Sequence, residues 1–392
     1  MTTQKSLMMT KRQLVLDVLR DPERKSLLRI FLEFIYLYFY YREFPRQYLS
    51  CYLFKKDKKN IRDYLPWKYL YGIKEFFIEK EVREVLENKL FFDFYYRPFG
   101  VSLPEIIMSN YRDVFALRGK TRKVSNVEEF KTLLEEIFNE HPDSDSMIIK
   151  KAYWSYGGDK VFKIFKDQVR DDHNLMTELY STVIKTGYLF QEVVVQHSEM
   201  NKLNPSCLNT LRIDTFINPD GQIEIISAYL RMSFRNSFVD NITSGGLQVG
   251  VDKNTGLLKK EGFSVFRNVG AKTFTAHPVT STVFENFKIP YFEEARELVV
   301  KVAGLMPGLR LVGWDVAISE TGPVLIEGNS DYDNTGNNLS EGGFLTNPVF
   351  RKILAEYWDL RKLKTKSGRG HLQSRLSSFK KAAEPEVVCL TT

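Results

Sequence analysis

The sequence predicts an α+β protein in which a helical N-terminal part precedes antiparallel sheets. From Lys11 to about Glu87, apolar residues recur three and four positions apart, which is the helical period. From Met147 onward, short β-like runs dominate, and short turns join most neighbouring runs, which indicates hairpins. The chain of 392 residues is long enough for two or three domains with sizeable cores.

Individual elements can then be placed in order along the chain. A helix is predicted over Val127–Phe138, with Ser125 or Asn126 as its N-cap. Two further helices are predicted over Tyr291–Leu305 and Pro348–Leu363. The predicted strands are Met147–Lys151, Val161–Phe165, Leu189–Gln196, Leu211–Ile217, Ile223–Ser233, Leu311–Ile318 and Pro323–Glu327.

Composition excludes several classes of protein. The three cysteines are too scattered for a disulfide framework or a zinc module. Lys and Arg outnumber Asp and Glu by 56 to 49, which suits anionic ligands without selecting one of them. The most apolar run, Leu27–Tyr41, is shorter than the roughly 20 residues that span a bilayer. Because no secretory signal is recognisable, we expect a cytoplasmic protein, either free or peripheral to the inner face of the membrane.

Two segments have two interpretations each. Aromatic residues are dense between Phe31 and Tyr52, and a run rich in lysine follows them. A helix buried on two sides has this pattern, and we favour that interpretation; the alternative is a membrane-facing surface with a basic flank. The stretch Arg361–Lys381 is basic and contains no acidic residue. It is either a solvated tail, which we favour, or a tether to an anionic surface.

The sharpest functional pattern is the segment GWDVAISETGPVLIEGN, which predicts a β-hairpin with its turn centred on Thr321. That register pairs Asp315 with Glu327. It also pairs Gly313 with Asn329. Because side chains alternate along a strand, the two carboxylates and the Asn329 amide lie on one face. Oxygen ligands of this kind suit Mg²⁺, although a solvent-exposed polar face has the same pattern.

A second pattern, IIKKAYWSYGG, is a strand that ends in Lys150 and Lys151 before a loop that contains Gly157 and Gly158. It is not a Walker A loop, which would open a helix. Backbone N–H groups in such a loop can bind phosphate oxygens, and a lysine on the strand adds positive charge. An ordinary hairpin has the same appearance, so the pattern is weak on its own.

Two arginines, Arg212 and Arg231, lie within predicted strands. A buried arginine is costly unless it is paired, so a phosphate or carboxylate ligand is one candidate partner. A structural ion pair with Asp214 or Glu224 is the other interpretation. The loop DNITSGG follows the second of these strands.

In this order, the motifs resemble those of the ATP-grasp superfamily, and most closely its sugar-transfer-associated family, over roughly residues 88–360. The motifs are IIKKAYWSYGG, FQEVVVQHSEM, NTLRI, DNITSGG and the GWDVAI…GPVLIEGN hairpin. The resemblance implies the ATP-grasp fold, in which two α/β lobes with antiparallel sheets grip ATP. The parts are then a helical N-terminal domain (1–87), an N-terminal lobe (88–195), a C-terminal lobe with the metal site (196–360) and a basic tail (361–392).

The resemblance also implies a role for each site residue. The residues implied to bind ATP are Lys150, Lys151, Gly157, Gly158, Gln191, Glu192, Val194, Glu199 and Gly246. Those implied to act at the transferring phosphoryl group or the substrate carboxylate are Arg212, Arg231 and Asn241. The implied magnesium ligands are Asp315, Glu327 and Asn329. Which of the two adjacent lysines contacts phosphate stays open, and Lys120 is only a candidate for the second lysine of the N-terminal lobe.

The implied activity is an ATP- and Mg²⁺-dependent ligation of a carboxylate to an amine through an acylphosphate, with release of ADP. The implied setting is the synthesis of cell-surface polysaccharide or of sugar conjugates. The expected partners are a carboxylate-bearing small molecule or sugar and an amine donor. The alternative is a nucleotide-binding scaffold without ligase activity, or a membrane-surface assembly factor for glycan synthesis. No sequence motif supports nucleic-acid binding.

Overall fold

A computed structural model describes residues 9–154, 161–233, 246–331 and 335–366. The helices in these residues are α1 (Lys11–Arg20), α2 (Leu27–Tyr41), α3 (Gln47–Ser50), α4 (Trp67–Phe76), α5 (Lys80–Glu87), α6 (Lys89–Tyr96), α7 (Val127–Glu140), α8 (Lys166–Asp171), α9 (His173–Val183), α10 (Ser198–Leu203), α11 (Phe266–Val269), α12 (Phe292–Gly304), α13 (Thr335–Glu341) and α14 (Pro348–Lys366). The strands are β1 (Ile106–Tyr111), β2 (Val114–Leu117), β3 (Lys120–Lys123), β4 (Ser146–Lys151), β5 (Phe162–Phe165), β6 (Gly187–Glu192), β7 (Thr210–Ile217), β8 (Ile223–Ser233), β9 (Gly246–Val251), β10 (Leu258–Ser264), β11 (Thr273–Phe274), β12 (Leu311–Ser319) and β13 (Gly322–Asn329).

The strands form two sheets. The six-stranded sheet has the order β3-β2-β1-β6-β4-β5, and the seven-stranded sheet has the order β11-β10-β9-β8-β7-β12-β13. Neighbouring strands of the described chain pair antiparallel throughout. The predicted α+β class is therefore confirmed. All seven predicted strands are present, whereas the sequence analysis missed β1 to β3 and β9 to β11, because these strands are short or carry little apolar alternation.

Helices α7 and α9 cover one face of the six-stranded sheet. Phe130 and Ile137 of α7 share a core with Met147 and Ile149 of β4. The predicted N-cap of α7 is confirmed for Asn126, whose side chain accepts a 2.9 Å hydrogen bond from the Glu129 N–H group. Since Met147 and Ile149 face these helices, the even-numbered side chains of β4 face the opposite side, toward the other sheet.

The seven-stranded sheet is covered on one face by α12 and by the helices that lead into the first sheet. Val299 of α12 packs in one core with Trp314 of β12 and Leu230 of β8, and Tyr96 of α6 joins the same core. The Trp314 indole N–H donates a 2.8 Å hydrogen bond to the Thr215 hydroxyl, so the buried ring keeps a polar partner.

The opposite face of the seven-stranded sheet is divided. The N-terminal helices and α14 cover one part of it, where Leu37 and Ile353 share a core with Phe216 of β7. Arg310 fixes this contact, because its guanidinium pairs with Glu356 at 2.7 Å and lies 4.9 Å from the centre of the Phe216 ring. The remaining part of the face carries polar and charged side chains.

Helix α2 is only half buried. Its Ser26 N-cap accepts a 3.3 Å bond from the Arg29 N–H group, and Leu37 and Tyr41 are buried. The favoured interpretation of this aromatic segment as core is wrong for Phe31 and Phe39, which are 60% and 71% exposed. Among the described helices, none combines the length and the apolar character needed to cross a membrane.

Candidate active site

The hairpin of β12 and β13 carries the predicted metal ligands. Asp315 pairs with Glu327, and Gly313 pairs with Asn329, so the predicted register is confirmed at this end of the hairpin. The predicted turn position is wrong, because Ser319 pairs with Gly322 and the turn is closed by the two residues between them. A bulge next to Asp315 restores the predicted pairing, and such a local irregularity leaves no signature in the alternation pattern.

Three oxygen-bearing side chains converge on the face of this hairpin. The Asn329 amide nitrogen lies 3.3 Å from Asp315 Oδ2 and 3.4 Å from Glu327 Oε1. Asp315 is fully buried, whereas the Glu327 side chain is 31% exposed. Mg²⁺ binds to one or two carboxylates and completes its shell with water and substrate phosphates, so this donor set fits the ion. The described residues contain no cluster of three or more His, Cys, Asp or Glu side chains that would hold a metal by itself.

Two arginines bind the Asp315 carboxylate. Arg212 lies opposite Asp315 on β7, and its Nη2 is 3.0 Å from Asp315 Oδ2. Arg231 Nη2 lies 2.8 Å from the same oxygen. Burial by itself would raise the pKa of Asp315, but the charges of Arg212 and then Arg231 outweigh it and hold the pKa below its usual range. Asp315 is therefore a carboxylate at neutral pH.

The alternative partners that the sequence suggested for these arginines are wrong. The carboxylate of Asp214 instead accepts hydrogen bonds from Ser227 and Asn337, and burial raises its pKa. Arg231 is also fixed from the side, because the Thr210 hydroxyl lies 2.9 Å from its Nη2. The arginines are thus paired within the site itself.

Lys150 brings positive charge from the six-stranded sheet. It lies on the face of β4 opposite the helix-covered core, and no carboxylate in the described part of the chain lies within 4.0 Å of its ammonium group. Burial and then the neighbouring Lys89 ammonium lower the pKa of Lys150 to about 8, while Glu327 and Asp93 act in the opposite direction. Lys151, the next residue, faces the other side of the strand, so Lys150 is the lysine that approaches the hairpin ligands.

Lys89, at the start of α6, was not identified from the sequence. Its ammonium nitrogen lies 3.8 Å from Glu327 Oε2. Its backbone N–H group donates a 2.8 Å bond to the Ala152 carbonyl, just beyond β4, which joins the helix to the six-stranded sheet. A single basic residue in the apolar run KLFFDFYY was the available signal. The candidate Lys120 is exposed on β3, and β2, β1 and β6 lie between it and β4.

Glu87 links the same junction to the seven-stranded sheet. The Ser330 hydroxyl, one residue beyond β13, donates a 2.6 Å hydrogen bond to Glu87 Oε1 in a buried position. The backbone N–H group of Trp154 donates to the Glu87 carbonyl at 3.2 Å. The junction of α5 and α6 therefore contacts the ends of both β4 and β13, and it fixes the two sides of the site relative to each other.

The segment that contains Gln191, Glu192 and Val194, which are implied to bind ATP, leads from the six-stranded sheet to the seven-stranded sheet. Gln191 is buried on β6, and Glu192 Oε1 accepts a 2.9 Å bond from the Glu105 N–H group. After Val194, the chain reaches β12, where the His197 N–H group donates a 2.9 Å bond to the Ile318 carbonyl.

The remaining predicted residues lie in less informative positions. Glu199 pairs with Lys202 at 2.6 Å on the exposed side of α10. Gly246 begins β9 and pairs with Ser233 at the end of β8. Gly157, Gly158 and Asn241 lie outside the described residues.

The solved structures that match this chain are distant. D-alanyl-alanine synthetase A from Vibrio cholerae is 12% identical, covering 78% of this chain and 66% of its own, with a TM-score of 0.38. N5-carboxyaminoimidazole synthetase from Staphylococcus aureus is 11% identical, covering 64% and 46%, with a TM-score of 0.36. Biotin carboxylase from Campylobacter jejuni is 11% identical, covering 69% and 45%, with a TM-score of 0.38. The chain spans less than two thirds of the length of each.

No curated protein sequence matches the chain. The sequence profile of one family, described as sugar-transfer associated ATP-grasp, matches residues 73–350. That match includes both sheets, the hairpin ligands, Lys150 and the junction that carries Lys89. It covers well over half of the sequence. The chain belongs to the sugar-transfer associated ATP-grasp family.

Proposed function

We propose that the protein is an ATP- and Mg²⁺-dependent carboxylate–amine ligase that acts through an acylphosphate. One observation carries the proposal. The ammonium group of Lys89 lies 3.8 Å from Glu327 Oε2 of the Asp315, Glu327 and Asn329 hairpin, and Lys150 lies close enough for Lys89 and Glu327 to shift its pKa. A polyphosphate bound beside them would meet both cations and metal ligands, which is what transfer of a phosphoryl group requires.

The residues divide the work of the first step. Lys150 offers an ammonium without a carboxylate partner in the described residues, so it can pair with a phosphate oxygen without breaking an ion pair. Glu327 and Asn329, with Asp315, would hold Mg²⁺, which neutralises phosphate charge when bound. A substrate carboxylate oxygen then attacks the γ-phosphorus of ATP; the bond to the β,γ-bridging oxygen breaks, and ADP leaves. The product is an acylphosphate.

The second step forms the amide. The amine nitrogen attacks the acyl carbon, the carbon–oxygen bond to phosphate breaks, and the nitrogen loses a proton as inorganic phosphate leaves. Arg231, whose side chain is 14% exposed, is the arginine that can reach an anionic substrate. Arg212 is only 4% exposed and acts through Asp315, which it positions. No protein nucleophile is needed, because ATP supplies the leaving group.

The family description supports a proposal for the substrate class. Its association with sugar transfer supports a role in cell-surface polysaccharide or sugar-conjugate synthesis, with a uronate-like carboxylate and an amine donor as substrates. ATP and Mg²⁺ are proposed as ligands because of the family match and the oxygen donors of the hairpin.

A second candidate function is a nucleotide-binding scaffold without ligase activity. The observation in its favour is that both arginines already neutralise Asp315, so this ligand must share its carboxylate before it can bind a metal. In a scaffold, ATP would bind and no ADP would be released with any acceptor.

A thermal-shift titration with ATP and Mg²⁺ tests the nucleotide site first. A ligand that binds only the folded state raises its stability with concentration, so we expect a shift of several degrees that needs Mg²⁺. Lys150→Met should abolish the shift, whereas the matched control Lys151→Met, on the other face of β4, should keep it. Glu327→Gln should remove its Mg²⁺-dependent part. A full shift in both Lys150→Met and Glu327→Gln would refute the site.

Release of ADP tests the reaction. The purified protein is incubated with ATP, Mg²⁺ and pairs of uronates and amino acids. We expect at least one pair to release ADP and to form an amide detectable by mass spectrometry, and Glu327→Gln should suppress both products. ATP binding without ADP release across the whole panel would favour the scaffold.

A further inference from the structure

Helix α2 presents a broad apolar face to solvent. Leu28, Phe31, Leu32 and Phe39 recur at spacings of three, four and seven residues and therefore lie on one side of the helix. Their exposed fractions are 69%, 60%, 56% and 71%. Single exposed apolar residues are common, but a contiguous face of this kind marks a surface that contacts another apolar phase.

The acidic residue of α2 is directed away from this face. Glu33 is 14% exposed and binds Lys25 at 2.7 Å, Arg29 at 2.8 Å and the Tyr48 hydroxyl at 2.8 Å. The arginines on α2 and at its end lie at the border instead: Arg29 is 58% exposed, and Arg42 is the exposed C-terminal cap. The apolar face is thus bordered by positive charge.

A polar cleft opens beside the apolar face. It has a volume of about 400 Å³ and begins at Tyr36, one turn along α2 from Leu32. Its walls bring two exposed cations, Lys59 and Arg62, next to one acid, Asp63. In the described residues, neither cation has a carboxylate within ion-pair distance. An apolar face beside a cleft with surplus positive charge is complementary to a lipid, which joins acyl chains to an anionic headgroup.

We propose that α2 docks the protein onto an anionic phospholipid bilayer. The apolar face lies at the boundary between headgroups and acyl chains, and the cleft of Lys59 and Arg62 receives a lipid phosphate. The helix lies in the surface and does not cross it, since its 15 residues span about 22 Å. The inference is independent of the ligase proposal, because none of these residues touches the ATP site.

Vesicle co-sedimentation of the full chain tests the proposal. The probes are vesicles of phosphatidylcholine alone and of an equimolar mixture of phosphatidylcholine and phosphatidylglycerol. We expect binding to the mixed vesicles, and the variants Phe31→Ser and Phe39→Ser should each weaken it on the order of tenfold, because each removes an exposed aromatic ring that would be buried in the bilayer. The matched control is Phe94→Ser on α6, whose ring is 67% exposed, and it should bind as the unaltered protein does.

The cleft is tested separately. Lys59→Gln and Arg62→Gln should each weaken binding to the mixed vesicles by about fivefold and leave binding to neutral vesicles unchanged. Thermal unfolding confirms that each variant is folded. Unchanged binding in the Phe31→Ser/Phe39→Ser double variant would overturn the proposal and point to the basic C-terminal tail. Absence of vesicle binding, together with self-association that the same double variant abolishes in sedimentation velocity, would identify a protein interface instead.

Discussion

The two sheets contribute charge to the candidate active site in opposite ways. On the seven-stranded sheet, the Asp315 carboxylate is fully buried and bound by two arginines, so its charge is balanced inside the protein. On the six-stranded sheet, Lys150 has no carboxylate partner within ion-pair distance in the described chain, and its pKa is lowered to about 8. A balanced network fixes geometry, whereas an unbalanced cation attracts a ligand. We infer that one sheet positions the reacting groups and the other draws in the polyphosphate.

The largest effect on stability is expected from a change in the buried network of Asp315, Arg212 and Arg231. Asp315→Asn removes the charge that balances Arg212 and Arg231, which stay buried, and we expect a loss of about 3–5 kcal/mol in the free energy of unfolding. Urea denaturation measures it. The double variant Asp315→Asn/Arg212→Met should recover part of this loss. A single-variant loss below about 1 kcal/mol would contradict the account of a closed buried network.

The next effect concerns the glycine between two of the hairpin ligands. A Cβ atom at Gly328 would lie 2.8 Å from the Trp314 ring and from the Leu86 side chain, so Gly328→Ala should push β13 away from its core. We expect a loss of about 1–3 kcal/mol, measured by urea denaturation. The control is Gly72→Ala within α4, where the nearest atom is 3.7 Å away and helix propensity favours alanine. Equal effects at both positions would refute the packing argument.

Local patterns predicted the hairpin ligands but not their partners. The hairpin and the shared face of its ligands follow from strand alternation, which depends on neighbouring residues alone, whereas the exact pairing of Asp315 with Glu327 depends on a bulge that the pattern does not show. The partner of Arg212 was sought nearby at Asp214, yet it is Asp315, because β7 pairs with β12 far along the chain. Lys89 was missed for the same reason, since its contact with Glu327 joins α6 to β13, far along the chain.

The exposed half of α2 shows a second limit of prediction from the sequence. Apart from Arg29 and Glu33, the residues of this helix are apolar or aromatic, so periodicity could not distinguish a helix buried on two sides from one buried on a single side. The buried ion pair of Lys25 with Glu33 orients the helix, and it joins residues whose spacing carries no signature of its own. Which face stays uncovered depends on the surrounding elements, and a sequence pattern does not contain that information.

A smaller effect on stability is expected at Lys150, and it depends on pH. The pKa of Lys150 is about 8 in the folded protein and 10.5 without perturbation, so between these values the unfolded chain binds more protons. The unfavourable contribution of Lys150 is therefore complete below pH 8 and is relieved as the pH rises toward 10.5. Relative to Lys150→Met, the unaltered protein should gain about 2 kcal/mol between pH 7 and pH 9.5. If the free energies of unfolding of the two proteins changed in parallel with pH, the charge of Lys150 would be compensated within the folded protein.

The smallest effect on stability is expected at Glu327, although its effect on ligand binding is large. Its carboxylate is 31% exposed, and its ion pair with Lys89 spans 3.8 Å, so Glu327→Gln should lower the free energy of unfolding by less than about 1 kcal/mol. The same variant should lose the Mg²⁺-dependent part of the ATP thermal shift. Urea denaturation without ligand and thermal shift with ligand separate the two effects. If Glu327→Gln lowered the free energy of unfolding as much as Asp315→Asn does, Glu327 would belong to the buried network of Asp315, Arg212 and Arg231. A small loss of stability combined with a lost thermal shift would instead show that Glu327 stays available to a metal. The reason would be that Arg212 and Arg231 form their ion pairs with Asp315 and not with Glu327.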